Sequence, residues 1–246
     1  MPLANMLDVS PIPILSDNYA WRLRAQASGA VAVVDPADAR AVIDRLEQEG
    51  GRLDLVLLTH HHDDHIAGAL EVARHFGARI AGAAQDARRL PPLDLSLSEG
   101  DTVMLGGASG VVIDTPGHTR GHISYFFADG PILFCGDTLF SLGCGRLLEG
   151  TPAEMFASLQ KLARLPDETL ICCGHEYTAS NARFALSVLP DNLALRARAD
   201  EVKAQRDAGT PTLPTRLGME RAVNPFLLAP DISSLAAFRS MKDSFR

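Results

Sequence analysis

The sequence predicts an α/β protein in which layers of β-sheet lie under outer helices, followed by a small α-helical domain. Short apolar runs alternate with helix-like patterns up to about residue 175, which is typical of sheets covered by helices. Beyond this point only helical patterns remain, so we expect no strand there. We therefore predict an α/β domain over residues 1–175 and a helical domain over residues 176–246.

In the first domain, apolar runs bounded by turn residues predict seven strands. These runs cover residues 30–34, 55–58, 103–105, 111–113, 123–128, 132–135 and 170–173. Helical spacing predicts helices over 38–49 and 66–76, the second ending at Gly77. Thr151 and Pro152 predict the start of another helix, because threonine caps helices and proline fits their first turn.

In the second domain we predict three helices. Residues 178–189 and 193–207 form the first two, with Pro190 between them. A loop rich in proline and threonine covers 209–216, and a terminal helix runs over 232–242.

The composition excludes several classes of protein. A net charge of −7 argues against a nucleic-acid binder, which needs clustered cations for the phosphates. No apolar run is long enough to span a bilayer, and residues 1–15 lack the pattern of a signal peptide. Four cysteines without a CxxC pair suit reduced thiols. We expect a cytoplasmic monomer that binds neither nucleic acid nor membrane.

Four of the eight histidines lie in the segment from Thr59 to His65, directly after a predicted strand. His60 and His62 are two residues apart, so in an extended turn they project the same way and can share a metal. Asp64 and His65 follow where the next helix begins, turned toward a second position. Imidazole and carboxylate groups suit zinc, iron or manganese, whereas we expect His61 to have a structural role.

Three more candidate ligands, His118, Asp137 and His175, each follow a predicted strand and come directly after a glycine. Side chains at strand ends are held by a rigid sheet, which favours an active site. Histidine or aspartate is often structural when it stands alone, but seven such groups at strand ends indicate a metal centre.

The order HxHxDH, PGH, GD and GH resembles the metallo-β-lactamase superfamily. The resemblance implies an αββα sandwich of two mixed β-sheets with a metal pair at one edge. It implies that His60, His62 and His118 bind the first metal, and that Asp64, His65 and His175 bind the second. Asp137 would bridge the two divalent ions, of which zinc is our first expectation, with iron or manganese as alternatives.

A metal pair of this kind predicts hydrolysis, because bound water loses a proton near neutral pH and the metals polarise a carbonyl. We assign the catalytic role to Asp64 and Asp137 together with a metal-bridging hydroxide. Since both acids are metal ligands, no proton donor for an amine is evident. A thiolate leaves without one, so the site favours a thioester.

Further segments resemble the hydroxyacylglutathione hydrolases, also called glyoxalase II. These segments are residues 12–19, 143–146, 174–178, 224–226 and 238–243. The resemblance implies cleavage of S-(R)-lactoylglutathione to D-lactate and glutathione, the second step of methylglyoxal detoxification. It makes residues 176–246 a glutathione-binding domain and assigns glutathione contacts to Arg146, Tyr177, Arg239 and Lys242.

Two positions depart from that family: Leu148 stands where an aromatic residue is common, and Leu228 where arginine is frequent. Asp35 closes a predicted strand beside the histidine motif, and we expect it to orient a metal-binding histidine. His75 and His122 match no ligand position; we expect one at the surface and the other beside the ligands.

Two alternatives remain open at this point. A persulfide dioxygenase-like enzyme would use a single iron and similar motifs, although the complete second-metal set speaks against it. A non-catalytic metal-binding module would use the metals only to stabilise its fold. Structural zinc sites, however, are usually closed by four protein ligands, mostly cysteine. A metallo-β-lactamase proper would have no use for the glutathione-positioning tail.

Overall fold

A computed structural model describes residues 7–245, which divide into two units with cores of their own. The first unit comprises residues 7–114 and Gly121–Gly136, and the second comprises Thr115–Arg120 and residues 137–245. No helix among the described residues is long and apolar enough to cross a bilayer. The predicted absence of a signal peptide concerns residues 1–15, of which 1–6 lie outside the description.

Six strands of the first unit form a mixed sheet in which their spatial order follows the chain. They are β1 (Leu7–Ile14), β2 (Asn18–Ala25), β3 (Val31–Val34), β4 (Leu55–Leu57), β5 (Arg79–Ala83) and β6 (Leu95–Leu97). The first three are antiparallel, whereas β3 to β6 run parallel. Every residue of β3 and β4 is buried, as expected for strands covered on both faces.

Three α-helices connect these strands: α1 (Ala39–Gln48), α2 (Asp63–Ile66) and α3 (Ala69–Phe76). The side chain of Asp38 caps α1 by accepting the amide of Ala41, and Gly77 ends α3 in the left-handed conformation. Apolar residues of α1 and α3 share a buried cluster with the strands. The two helices therefore cover one face of the sheet.

The remaining strands of this unit are antiparallel neighbours. They are β7 (Thr102–Leu105), β8 (Ala108–Asp114), β9 (Ile123–Phe127) and β10 (Ile132–Gly136). On β9, the fully buried Tyr125 donates its hydroxyl to the carbonyl of Leu58 over 2.9 Å. This bond joins the second group of strands to the segment that follows β4, directly before the histidine motif.

The second unit contains four short strands and six helices among the described residues. They are β11 (Leu139–Phe140), β12 (Gly143–Cys144), α4 (Pro152–Leu162), β13 (Leu170–Cys173), α5 (Thr178–Val188), α6 (Leu193–Asp207), β14 (Thr215–Arg216), α7 (Leu217–Val223), α8 (Pro225–Leu228) and α9 (Ile232–Ser244). Thr151 caps α4 in a capping box with Glu154. Leu142, Ala185 and Leu195 belong to a buried cluster that packs α5 and α6 beside the β11–β12 turn.

The α/β class and the predicted helices α1, α4, α5, α6 and α9 are confirmed. The prediction of one helix over 66–76 is wrong, because the helical conformation is interrupted at residues 67–68, between α2 and α3. A side chain at Gly68 would lie 2.5 Å from the carbonyl oxygen of Pro36, so glycine permits this close approach. The prediction of no strand beyond residue 175 is also wrong, since Thr215 pairs with Ile171 in an antiparallel ladder.

Candidate metal centre

In the first unit, His60 and His62 lie between β4 and α2, and Asp64 and His65 lie in α2. His62 is extended and precedes the helix, so Asp64 and His65 fall in the first helical turn. His60 Nε2 lies 3.1 Å from His62 Nδ1, and the rings of His60 and His65 have centroids 4.1 Å apart. The motif thus brings three imidazoles together, and both His60 and His65 are buried.

Asp35 fixes the orientation of His65. Its carboxylate accepts the backbone amide of Thr59 over 2.8 Å, the Thr59 hydroxyl over 2.6 Å and His65 Nδ1 over 2.9 Å. A carboxylate accepts only, so Nδ1 of His65 carries the proton and Nε2 keeps its lone pair. Asp35 thus contacts a histidine of the motif and fixes its ring, as the sequence predicts.

Thr59 extends this arrangement to His60. Because the Thr59 hydroxyl proton is donated to Asp35, its oxygen accepts from His60 Nδ1, 3.0 Å away. His60 consequently carries its proton on Nδ1 and presents Nε2 as a ligand atom. One buried carboxylate therefore selects the tautomer of two histidines.

Two further contacts hold the motif, and neither partner is marked by a pattern in the sequence. The Asn18 amide, at the start of β2, donates to Oδ2 of Asp64 and to its carbonyl, both over 3.1 Å. His61 Nδ1 lies 3.0 Å from Oδ2 of the buried Asp86. The structural role predicted for His61 agrees with this contact, since its ring points to Asp86.

His122 and His75 lie in different environments. His122 is buried and stacks on His60, with ring centroids 4.9 Å apart. Gly136, whose φ is +44°, leaves room for this ring, because a side chain at that position would lie 2.4 Å from Thr59 Oγ1 and 2.7 Å from His122 Nε2. His75 is 43% exposed and pairs with Glu47 on the surface. The predicted placement of both histidines is confirmed.

In the second unit, His118 and His175 face the same oxygen of Asp137. His118 Nε2 lies 3.5 Å and His175 Nε2 3.4 Å from Asp137 Oδ2, and all three residues are buried. His118 Nδ1 donates to the carbonyl of Arg146 over 2.9 Å, which leaves Nε2 as its ligand atom. A side chain at Gly145 would lie 1.8 Å from the carbonyl oxygen of Asp137, so glycine is needed for the backbone to pass this close to Asp137.

The donor atoms suit a divalent transition metal. Neutral imidazole nitrogens and carboxylate oxygens are the ligands that zinc and iron bind. Zn–N bonds of about 2.0–2.1 Å in a tetrahedral site place neighbouring donor atoms about 3.4 Å apart. The distances from Asp137 to His118 and His175 match this spacing. These residues therefore fit a metal ion.

A pocket of about 400 Å³ adjoins this cluster within the second unit. Its walls include His118 and Asp137 together with three cationic side chains, Arg146, Arg239 and Lys242. The other lining residues are Phe140, Cys144, Tyr177, Ser180, Asn181, Asp243 and Phe245. The pocket thus joins candidate metal ligands to groups that bind anions.

The substrate residues predicted from the resemblance all line this pocket. Tyr177 stacks on His175, with ring centroids 4.5 Å apart and an angle of 7°. Arg239 is 6% exposed and donates from Nη1 to the carbonyl of Cys144 over 2.7 Å. Arg146 is far more open, with a side chain that is 68% exposed.

Lys242 donates to the hydroxyl of Ser180 over 3.0 Å and to its carbonyl over 3.2 Å. Burial, followed by the charges of Arg239, Arg183 and Arg146, lowers the pKa of Lys242 to about 8. The helical spacing that predicted a shared face for Arg239 and Lys242 is confirmed, because both lie on α9 and line the pocket. Leu148 and Leu228 are exposed, at 59% and 42%.

Two family models match consecutive parts of the chain. Residues 18–175 match the metallo-beta-lactamase superfamily, and residues 176–245 match the hydroxyacylglutathione hydrolase C-terminus. A protein of Acidiphilium cryptum (strain JF-5), named hydroxyacylglutathione hydrolase, is 60% identical over 237 residues, covering 96% of each chain.

Solved structures show the same fold. ETHE1 from Myxococcus xanthus superposes with a TM-score of 0.74 at 23% identity, covering 95% of this chain and 90% of that one. TTHA1623, solved in a di-iron-bound form, has a TM-score of 0.61 at 25% identity, covering 89% of this chain and all of the other. The family match and the histidine and aspartate donors together indicate a divalent-metal site.

Proposed function

The chain belongs to the hydroxyacylglutathione hydrolases of the metallo-β-lactamase superfamily, and we propose that it hydrolyses S-(R)-lactoylglutathione to D-lactate and glutathione. One observation carries the proposal: a single pocket is lined by His118 and Asp137 as well as by Arg146, Arg239 and Lys242. Candidate metal-binding groups and cationic, anion-binding groups therefore line the same pocket. The substrate has this composition, with a reactive thioester on a peptide that bears two carboxylates.

We propose that the chain binds two divalent ions, with zinc as the first expectation and iron or manganese as alternatives. In this assignment His60, His62 and His118 would hold one ion, and Asp64, His65 and His175 would hold the other. Asp137 would be shared by both. The tautomers selected by Asp35 and by the Arg146 carbonyl support ligand roles for His60, His65 and His118, and the di-iron-bound relative supports a two-metal centre.

When bound, such ions would lower the pKa of water toward about 7 and polarise a carbonyl oxygen. The chain's own residues prepare the reaction. Asn18 holds the carboxylate of Asp64, and the Arg146 carbonyl holds the ring of His118. Lys242 and Arg146 present cations to the carboxylates of the peptide. The leaving group is a thiolate, which needs no proton donor from the protein.

Neither alternative function is favoured. The relative of 60% identity covers 96% of the chain and is named a hydroxyacylglutathione hydrolase, which speaks against a persulfide dioxygenase-like mono-iron enzyme. A non-catalytic module would have no need of a cationic pocket beside His118 and Asp137.

We also propose a division into a catalytic domain over 1–175 and a glutathione-binding domain over 176–246. The meeting point of the two family models, between residues 175 and 176, supports it. A cytoplasmic location is proposed because all four cysteines are buried and none forms a disulfide bond, which suits a reducing compartment. We propose that the protein is a monomer.

The decisive experiment measures the loss of thioester absorbance when purified protein is loaded with Zn²⁺, Fe²⁺ or Mn²⁺ and given S-(R)-lactoylglutathione. We expect turnover with at least one metal, its abolition by a chelator and its recovery on reloading. His118→Ala should lose turnover and keep its circular dichroism spectrum, whereas the surface variant His75→Ala should keep both. Loaded protein that does not cleave the thioester, or metal-free protein that does, would contradict the proposal.

A further inference from the structure

Asp243 is the acidic side chain among the cations of the pocket. It lies on α9 directly after Lys242, and its side chain is 46% exposed. Oδ1 of Asp243 accepts from Arg239 Nη2 over 2.9 Å and from Arg239 Nε over 3.1 Å. The same oxygen lies 3.6 Å from Nε of Arg146. Asp243 is thus near two of the three cations that face the substrate.

A negative charge at this position opposes a substrate with two carboxylates. Like charges in a partly desolvated pocket weaken binding, so a pocket built only to attract anions would not contain Asp243. The hydrogen bonds from Arg239 account for the position of Oδ1 but not for that of Oδ2. Oδ2 of Asp243 has no hydrogen bond among the residues that the structure describes, and the exposed side chain leaves it open to a ligand.

The pocket offers an opposite charge to each charged group of the substrate. Besides the candidate ligands His118 and Asp137, the pocket presents three cations and Asp243. The glutathione moiety presents two carboxylates and one ammonium, the α-amino group of its γ-glutamyl residue. Asp243 is the group on the pocket wall whose charge suits that ammonium, and a charge-assisted hydrogen bond to it is among the stronger kinds.

We propose that Asp243 is a specificity-determining residue that binds the α-ammonium group of the substrate through Oδ2. This inference rests on the proposed function and extends it, because it names the part of the substrate that the acidic group selects. Peptide thioesters with a free α-amino group are then preferred over those whose amine is absent or acylated. Arg239 keeps Asp243 in place by holding Oδ1.

The test compares two substrates that differ only in the ammonium group. One is S-lactoylglutathione, and the other is the lactoyl thioester of glutaryl-cysteinyl-glycine, which keeps both carboxylates and lacks the amine. For the unaltered protein we expect kcat/KM to favour the first substrate by about tenfold, the scale of one hydrogen bond between charged groups. The difference should appear in KM, with kcat the same within about twofold.

Asp243→Asn isolates the proposed contact, because the amide oxygen still accepts from Arg239 while the second atom becomes a donor. We expect this variant to favour the first substrate by less than about twofold, and Asp243→Glu to recover part of the preference. Asp207→Asn removes the same charge from the exposed end of α6 and should keep the tenfold ratio.

The outcomes separate this inference from its premise. If Asp243→Asn lowers kcat/KM for both substrates by the same factor, Asp243 only positions Arg239 and the inference is overturned. A preference that survives unchanged in Asp243→Asn overturns it as well. If the metal-loaded unaltered protein cleaves neither thioester, the proposed function fails first, and with it the premise of the inference.

Discussion

Asp35 and His65 are joined by a hydrogen bond of 2.9 Å although Asp35 has a backbone φ of +51°. Residues other than glycine rarely adopt this left-handed backbone conformation, and it persists where surrounding contacts hold it. Here the contacts are the amide and hydroxyl of Thr59. The strained residue therefore turns its carboxylate toward the histidine motif and fixes two ring tautomers from one point.

Asp35→Asn should weaken metal binding by about 10- to 100-fold, the usual effect of losing a group that orients a ligand. Asparagine tolerates the same backbone and can still accept the amide of Thr59. It cannot accept from both the Thr59 hydroxyl and His65 Nδ1, so the ring loses its fixed tautomer. Metal affinity is measured by competition with a chromophoric chelator.

The matched control is Asp38→Asn, three residues away. Asp38 caps α1, and asparagine caps helices equally well, so metal affinity should not change. Equal metal affinity in Asp35→Asn and the unaltered protein would show that Asp35 serves only the turn.

Thr59→Val should weaken metal binding by about tenfold and leave the fold intact. Valine has nearly the shape of threonine but lacks the hydroxyl that accepts from His60 Nδ1. Without that acceptor, His60 loses the preference that presents Nε2 to a metal. Thr59→Ser keeps the hydroxyl and should bind metal normally. If valine and serine behave alike at this position, the hydroxyl plays no part in ligand orientation.

Local sequence patterns predicted the strands that consist of continuous apolar runs. β3, β4 and β13 have such runs of three or four residues. The two-residue strands β11, β12 and β14 were missed, because a pair of residues has no periodicity to detect. β5, with the sequence RIAGA, was missed because alanine and glycine are poor strand formers.

The candidate site likewise contains residues that the sequence predicts and residues that it does not. The seven metal-ligating candidates lie in short motifs and were predicted from spacing and resemblance. Two of the residues that orient them are remote in sequence, since Asn18 is 46 positions from Asp64 and Asp35 is 30 from His65. Nothing in a local pattern tells Asn18 or Thr59 from other polar residues, so only the folded chain reveals their roles.

Glu220→Gln should lower the free energy of unfolding by about 3 kcal/mol, because it leaves buried donors without acceptors. Glu220 is fully buried, and its carboxylate accepts from four donors: Ser141 Oγ, the Leu142 amide, Thr215 Oγ1 and Asn224 Nδ2. Glutamine replaces one acceptor oxygen with a donor. Urea unfolding followed by circular dichroism measures the change.

Glu201→Gln is the control, since Glu201 is 61% exposed on α6 and should shift stability by less than about 0.5 kcal/mol. Leu142, which Glu220 holds, has a φ of +58° in the turn between β11 and β12. Equal stability of the two variants would mean that water replaces the lost acceptor and that the turn does not depend on Glu220.

The KM for S-lactoylglutathione should rise between pH 7 and pH 9, because Lys242 loses its charge in this range. Burial and the charges of Arg239, Arg183 and Arg146 lower its pKa to about 8, and Asp243 only partly offsets them. A group with this pKa is about 90% charged at pH 7 and about 10% at pH 9. Since the cationic form binds the carboxylate, affinity is highest below the pKa and is lost as pH rises through it.

Lys242→Arg separates this effect from the titration of the substrate and of the metal centre, because arginine stays charged throughout the range. The ratio of the KM of the unaltered protein to that of Lys242→Arg should rise by about fivefold from pH 7 to pH 9, in line with the loss of a charge-assisted contact. Initial rates at several substrate concentrations and constant ionic strength give both values. A ratio independent of pH would mean that Lys242 does not bind the substrate through its charge, and the affinity of the pocket would then depend on Arg146 and Arg239.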